Sequence, residues 1–492
     1  MSGCLRRLPW RQSTVLVHRR LLSRDIGQPT AYTHPYLLKE GEILPGIHKS
    51  EFLERRRNLM REVASTHAGK TNKKHLVIVP GAPVQYMSND VPYRFHQSTD
   101  LLYMTGFQEP DAVLLLESTG GLLEHKSILY VRPRDPHREL WDGPRAGPDG
   151  AVTFTGVTEA YTIDELGTHL EQKYSKMGYS VWYCTEEYVH PDHDDVIVNS
   201  LTNSSDSRID SVHTYTQLLH KLRLVKSPAE LNLMRKAGQI AASAFRETMR
   251  STRPDVMEYQ LESVFEHHCK MKGAQTLSFP PVVAGGSRAN CLHYIANNRE
   301  LRAGDLVLFD AGCEYHGYVS DVTRTWPVSG QFTAAQRELY EAVLRVKQAS
   351  IKASRPGVTL SQLNRSAANM ISSELQALGL VPKNSSASEL TQAINRLFPH
   401  HLGHFLGMDT HDTPTVDREV VLSPGMVITI EPGVYVPKDW HVATKTAKEM
   451  LGTGIRIEDD VVITENGCEV LNANCPQTVE EIAELCRGMA KC

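Results

Sequence analysis

A mixed α/β (α+β) chain of two domains is predicted from three observations. At 492 residues the chain is longer than one hydrophobic core usually organises. Short apolar or alternating runs that read as strands, such as 76–81 and 305–312, are interspersed with amphipathic helical patterns such as 333–354. A polar stretch at 199–210, poor in hydrophobic residues, separates the two halves and marks a domain border. Hydrophobic content of 41% and charged content of 22% are those of an ordinary globular protein, and a net charge of −4 argues against a nucleic-acid partner. No run of 18 or more apolar residues suggests a membrane span, and no internal repeat suggests a solenoid.

In chain order, residues 1–24 carry Arg6, Arg7, Arg11, Arg19, Arg20 and Arg24 with no acid before Asp25. A cationic, acid-free segment able to form an amphipathic helix reads as a mitochondrial transit peptide, whereas the apolar core Val15-Leu16-Val17 is too short for a secretory signal. The string Arg20-Leu21-Leu22-Ser23 resembles sites cut by the matrix processing peptidase, which would start the mature chain near residue 22. The expected location is the mitochondrial matrix, with a cytosolic form lacking the leader as the alternative. The nine cysteines are scattered and contain no CxxC pair, so reduced thiols are expected rather than a disulfide framework, and Cys313 reads as a small core residue.

Residues 25–50, rich in proline, glycine and tyrosine, form an extended lead-in. Residues 51–208 then make the N-terminal α/β domain, with an amphipathic helix at 51–63 and a buried strand at 76–81. His96 and Trp141 within it read as core or rim residues. Residues 209–492 make the second domain. Its first long helix begins at Ser227-Pro228, serine serving as N-cap and proline fitting the first helical position. Helices at 333–354, 359–378 and 387–398 are expected to pack outside a sheet, and His267 and His268 to lie on a helix surface.

Five side chains in this second domain stand out. Asp310 ends the apolar run Leu306-Val307-Leu308-Phe309, so a buried strand delivers a carboxylate to a cavity. The run 318–327 alternates, which puts Val319, Asp321, Thr323 and Thr325 on one face. His404 lies in a histidine-dense, glycine-punctuated stretch, and Glu431 and Glu458 end or interrupt the strand-like runs 426–433 and 454–460. Each acid falls where an unpaired charge would be costly to bury, and a metal ion removes that cost. Four carboxylates and one imidazole are too acidic a set for a mononuclear catalytic zinc, which typically has three protein ligands. Two divalent cations about 3.5–4 Å apart would neutralise it, and oxygen ligands with one histidine favour Mn2+, with zinc, cobalt and iron left open.

The order Asp310, Asp321, His404, Glu431, Glu458, with its flanking strings, resembles the pita-bread metallopeptidases (creatinase/aminopeptidase fold): methionine aminopeptidase, prolidase and aminopeptidase P. The strings at 93–107, 109–111 and 138–144 are similar to the N-terminal domain of aminopeptidase P, and its mitochondrial branch is the nearest match. The resemblance implies a pita-bread catalytic domain behind a smaller α/β domain. It makes Asp310 a ligand of one metal, His404 and Glu431 ligands of the other, and Asp321 and Glu458 ligands of both.

The implied reaction is removal of one N-terminal residue from peptides with proline second, by a hydroxide bridging two divalent metals. Glu431 would take the water proton and pass it towards the proline nitrogen. His411 would meet the carbonyl oxygen or carry the proton, and His293 and His400 would flank the proline ring. Arg456 would lock the carboxylates in place. A homo-oligomer, a dimer first, is also implied, with another subunit's N-terminal domain narrowing the entrance. A prolidase-type Xaa-Pro dipeptidase and a non-catalytic pita-bread binding module are the alternatives. Two departures affect the pocket: His401 stands where the family often has glycine, and Val420-Val421-Leu422-Ser423 lacks the arginine that many bacterial members carry before the Pro-Gly-Met turn.

Overall fold

A computed structural model of the chain describes residues 26–66, 73–119, 124–185, 189–202, 209 and 211–487. The expected transit peptide at 1–24 and its cleavage point lie outside the described residues. The chain divides into two compact units, Met1–Leu222 and Arg223–Cys492.

In the first unit the lead-in is folded against the body. Ile26 and Leu38 are buried, and Gln28 donates to the Gly106 carbonyl and accepts from the Gln108 amide. The helix Lys49–Ser65 buries Phe52, Leu59 and Val63, and its two buried arginines, Arg55 and Arg56, donate to the carbonyls of Tyr103 and Met104. A six-stranded mixed sheet runs in the order Ser211–His213, Tyr179–Trp182, Lys74–Pro80, Val113–Ser118, His125–Val131, Glu159–Thr162. Its central strands, Lys74–Pro80 and Val113–Ser118, are antiparallel with Leu76 opposite Glu117 and Ile78 opposite Leu115. They are buried on both faces, which is why they read as continuous apolar runs and not as alternation. His96 and Trp141 are exposed.

In the second unit Ser227 caps the helix Pro228–Ser251, its hydroxyl accepting from the Glu230 amide while the Glu230 carboxylate accepts from the Ser227 amide. The three helices expected downstream are Ala334–Ala353, Leu360–Ala377 and Ala387–Leu397, each capped by a Thr or Ser hydroxyl. Cys313 and Cys269 are fully buried in the core of this unit, and the seven described cysteines are all free. His267 is exposed on the helix Glu258–Met271.

Three antiparallel ladders carry the site. Val282–Gly285, Leu306–Ala311 and Val322–Pro327 form one, with Asp310 opposite both Val282 and Thr323. Val427–Ile430 pairs with Asp459–Thr464, and Gly433–Val436 pairs with Thr453–Arg456. The last two are one hairpin-like ribbon broken at a single level. Ile430 faces Asp459 on one side of the break and Gly433 faces Arg456 on the other, leaving Glu431-Pro432 opposite Ile457-Glu458. The Ile457 amide still donates to the Pro432 carbonyl, 3.3 Å, so the break is a local widening.

The alternating run 318–327 is also broken, which corrects the reading of it as one strand. Tyr318–Val319 pairs in a different sheet from Val322–Pro327. At the break the Asp321 amide leaves the ladder and donates to the Asp460 carboxylate at 3.1 and 3.2 Å. Alternation in residue type persists across the gap although both halves are buried on both faces, so the pattern does not reveal the interruption.

Candidate metal centre

The breaks place the acids. Asp321, Glu431 and Glu458 each occupy a gap between strands, and Asp310 is the next-to-last residue of its own strand. A residue in a strand gap keeps its neighbours' rigidity while its side chain leaves the pleat, so the broken run at 318–327 and the broken ribbon carrying Glu431 and Glu458 aim carboxylates at one point. The segment around His404 runs alongside the Val427–Ile430 strand, its amide donating to Thr429 Oγ1 and its carbonyl accepting from the Thr429 amide. A Cβ at Gly403 would sit 1.9 Å from the Thr429 carbonyl oxygen, so only glycine allows this approach.

The structure brings all five predicted residues to one cavity of about 620 Å³, with His293, His400, His411 and Arg456 also in its lining. Ligand atoms of Asp321, His404 and Glu458 lie within 4.8 Å of one another. His404 Nε2 is 3.4 Å from Asp321 Oδ2 and 3.6 Å from Glu431 Oε1. Its Nδ1 donates to the Phe405 carbonyl at 3.0 Å, which leaves Nε2 as the atom facing the acids, the orientation expected of a metal-binding histidine.

Electrostatics mark the cluster as short of positive charge. Burial raises the Glu431 carboxyl to about 7, Asp321 and Asp310 adding to it against His404 and Arg456. Burial likewise lifts Asp310 to about 6, with Arg456 opposing and Asp321 reinforcing. Glu458 is raised well above the carboxylate range by burial and then by Asp321, Glu431 and Asp310. For His404 burial works against the imidazolium, but the facing Asp321 and Glu431 outweigh it and push it up to about 9. Asp310 Oδ1 is buried with no hydrogen-bond partner. Such a set of crowded oxygens, one left unpartnered, and a correctly oriented imidazole fits divalent cations, whose charge would offset the mutual repulsion.

Arg456 holds the cluster from one side. Its Nη2 donates to Asp310 Oδ2 at 2.5 Å, Nε to Thr323 Oγ1 at 3.1 Å and Nη1 to the Tyr435 hydroxyl at 2.7 Å. Thr323 Oγ1 donates in turn to Glu458 Oε2 at 2.6 Å. His400 donates from Nδ1 to the His401 carbonyl, so its Nε2 accepts from the Tyr435 hydroxyl at 2.8 Å. Burial and the nearby Arg456 lower His400 to about 4, leaving it neutral. His411 packs edge-on against His404, ring centroids 4.6 Å apart, and burial with that neighbour lowers its pKa. His293 is exposed at the rim with Leu292 and Ile295.

Sequence reading did not single out Tyr435, Asp460 or Arg418 for this site. Tyr435 sits in the unremarkable strand Gly433–Val436, and its hydroxyl matters only through partners 35 and 21 residues away. Besides Arg456, Arg418 lines the cavity, and it also borders an adjoining cavity of about 830 Å³. The signal that could have found Asp460 is its place in the acidic run Glu458-Asp459-Asp460.

Two family models cover most of the chain: Metallopeptidase family M24 matches residues 232–465 and Aminopeptidase P, N-terminal domain, matches 52–182. Xaa-Pro aminopeptidase 3 of Homo sapiens is 44% identical over 493 residues, 99% of this chain and 96% of that protein. Intermediate cleaving peptidase 55, mitochondrial, of Arabidopsis thaliana is 38% identical, covering 94% of this chain and 88% of its own length. The structure of zinc-substituted Escherichia coli aminopeptidase P in complex with product superposes with a TM-score of 0.82 at 36% identity, over 90% of this chain and 99% of that one. The expected pita-bread fold behind an aminopeptidase P N-terminal domain is therefore borne out, and the chain belongs to the aminopeptidase P (Xaa-Pro aminopeptidase) family of M24 metallopeptidases, hydrolases that depend on divalent metal.

Proposed function

We propose that the chain is a dinuclear Xaa-Pro aminopeptidase that removes a single N-terminal residue when proline follows, acting in the mitochondrial matrix. The observation that carries this reading is the convergence of Asp310, Asp321, His404, Glu431 and Glu458 on one cavity with an unpartnered buried oxygen among them. Asp310 would hold one cation, His404 and Glu431 the other, and Asp321 and Glu458 both, with Mn2+ the expected metal. Two such cations would acidify water near neutral pH and polarise the scissile carbonyl.

The protein's own groups then handle protons and orientation. Glu431, whose carboxyl faces the cavity beside His404, would accept a proton from water and return it. The leaving nitrogen of an Xaa-Pro bond belongs to a tertiary amide and must be protonated before it departs. His411, beside His404 at the cavity wall, can carry that proton or donate to the carbonyl oxygen as charge develops there. His293 and His400 wall the cavity where the proline ring would lie, and the Arg456–Tyr435–His400 chain keeps that wall rigid. Arg456 also fixes Asp310 and, through Thr323, Glu458.

The leader at 1–24, a domain border near 208 and a homodimer belong to the same proposal. The mitochondrial relative from Arabidopsis thaliana supports the location. The described residues contain no helix long and apolar enough to cross a membrane.

The deciding experiment is hydrolysis of an Xaa-Pro-Xaa tripeptide and an Xaa-Pro dipeptide by the metal-free chain, before and after manganese addition, beside Asp321→Ala. Manganese-dependent release of one residue from the tripeptide, lost in the variant, supports the proposal. Turnover of the dipeptide alone would mean a prolidase-type enzyme, and tight metal binding with no turnover of either would mean a binding module.

A further inference from the structure

The loop that carries His411 is held in an unfavourable conformation by a buried ionic clamp. Thr413 has φ +50°, a left-handed conformation that a β-branched residue rarely adopts, and it is fully buried. The hydroxyls of Thr410 and Thr413 are both buried without a hydrogen-bond partner. Strain and unmet hydrogen bonding of this kind persist only where the surroundings over-determine the conformation. Here the determinant is Asp412, the residue between His411 and Thr413. Its Oδ1 accepts from Arg223 Nη2 at 2.5 Å and its Oδ2 from Lys226 Nζ at 2.9 Å. All three side chains are at least 95% buried.

Two further features belong to the clamp. The same Arg223 Nη2 donates to Asp409 Oδ2 at 2.5 Å, so both ends of the loop close on one guanidinium. The Asp412 amide donates to the Phe405 carbonyl, the same carbonyl that receives His404 Nδ1–H. A Cβ at Gly407 would lie 2.4 Å from Asp412 Oδ2 and 2.9 Å from Lys226 Cε, so glycine is needed there for the carboxylate to reach its partners. Burial opposes the Asp412 carboxylate, but Lys226 and Arg223 prevail and lower it to about 2.

We infer that Asp412 is a positioning residue for the reaction: gripped by Arg223 and Lys226, it sets the His411 ring edge-on to His404 and thereby places the His411 imidazole at the reacting bond. This rests on the reading of His411 as a group that touches substrate. Neither Arg223 nor Lys226 borders the cavity over the acids, so their influence on turnover must pass through the loop.

The test is a double-mutant cycle on manganese-loaded full-length chain with an Xaa-Pro-Xaa tripeptide, using Asp412→Asn, His411→Ala and both together. The expected results are a kcat loss of about 10- to 100-fold for Asp412→Asn with KM and manganese affinity within about twofold, and a double variant no slower than His411→Ala alone. Unchanged kcat in a folded Asp412→Asn, or effects that multiply in the double variant, would overturn the inference. A fully active His411→Ala would instead reject the underlying role of His411. Should Asp412→Asn fail to fold, Lys226→Met takes its place in the cycle. It removes one cation and leaves the Arg223 contact, with an expected kcat loss of about 3- to 10-fold that vanishes in the His411→Ala background.

Discussion

Glu458 and Asp459 are adjacent in sequence, lie at the same strand break and are both almost fully buried, yet the protein treats them in opposite ways. Asp459 is saturated with donors: Arg324 Nη2 at 2.6 Å, Asn472 Nδ2 at 2.9 Å and a close Lys347 ammonium. Burial penalises its charge, but Arg324 and Lys347 prevail and its pKa falls. Glu458 receives one side-chain donor, Thr323, and burial, joined by three other acidic groups, raises its pKa. The first is a structural carboxylate that the chain neutralises itself. The second is a carboxyl that the fold leaves without a compensating cation. What distinguishes a candidate metal centre from a buried ion network is thus the donors the fold withholds, more than the acids it supplies.

The largest expected effect breaks this contrast at Glu458. Glu458→Gln should lower kcat by at least about 1,000-fold and abolish tight manganese binding by calorimetry, while the metal-free protein melts no lower than the parent, since a neutral amide replaces a carboxyl whose charged form burial and three acidic neighbours already disfavour. Next, Asp459→Ala should strand two buried cations and cost about 3–5 kcal/mol of stability, read by urea unfolding of the metal-free protein. If both variants lost stability equally, the distinction between the two acids would be wrong.

The third prediction concerns pH. Glu431 and Asp310 are raised in the folded state, so the metal-free native protein holds protons that the unfolded chain has released above about pH 4, and stability falls as pH rises through about 7. His404, raised to about 9, acts in the same direction: its contribution is complete below the ordinary histidine value and is lost as pH climbs through about 9. Above about pH 6.5, where His400 and the other histidines of lowered pKa no longer titrate in either state, the Tm of the metal-free protein should therefore drop as pH rises to about 8, and saturating manganese should flatten or reverse that slope. A rise in metal-free Tm over this window would show that the cluster is not starved of charge.

The smallest effect sharpens the role of the holding groups. Tyr435→Phe removes the hydroxyl shared by His400 and Arg456 and should lower kcat/KM by about 10-fold or less with little change in manganese affinity. A large loss of metal affinity would instead make Tyr435 part of the ligand support.

Much of this was legible in the chain itself. Capped helices such as Pro228–Ser251 are written locally, because their hydrogen-bonding signals span three residues. Asp310, His404, Glu431 and Glu458 were conspicuous because each ends or interrupts an apolar run or stands beside a glycine, whereas Asp321, inside an alternating run, joined them through the family's order of residues. The break at Asp321 was not, since alternation on either side of it stays in phase.

By itself, then, the sequence determined the residue types, the helix boundaries and the order in which acids and histidine arrive. Tertiary structure alone decided which acids stay unneutralised, because the donors that set Asp459 apart from Glu458 come from Arg324 and Lys347, more than a hundred residues away. It likewise decided that Asp412 is gripped by cations 186 and 189 residues upstream. Electrostatic environment depends on distance in space, and local sequence pattern carries no information about neighbours so remote along the chain.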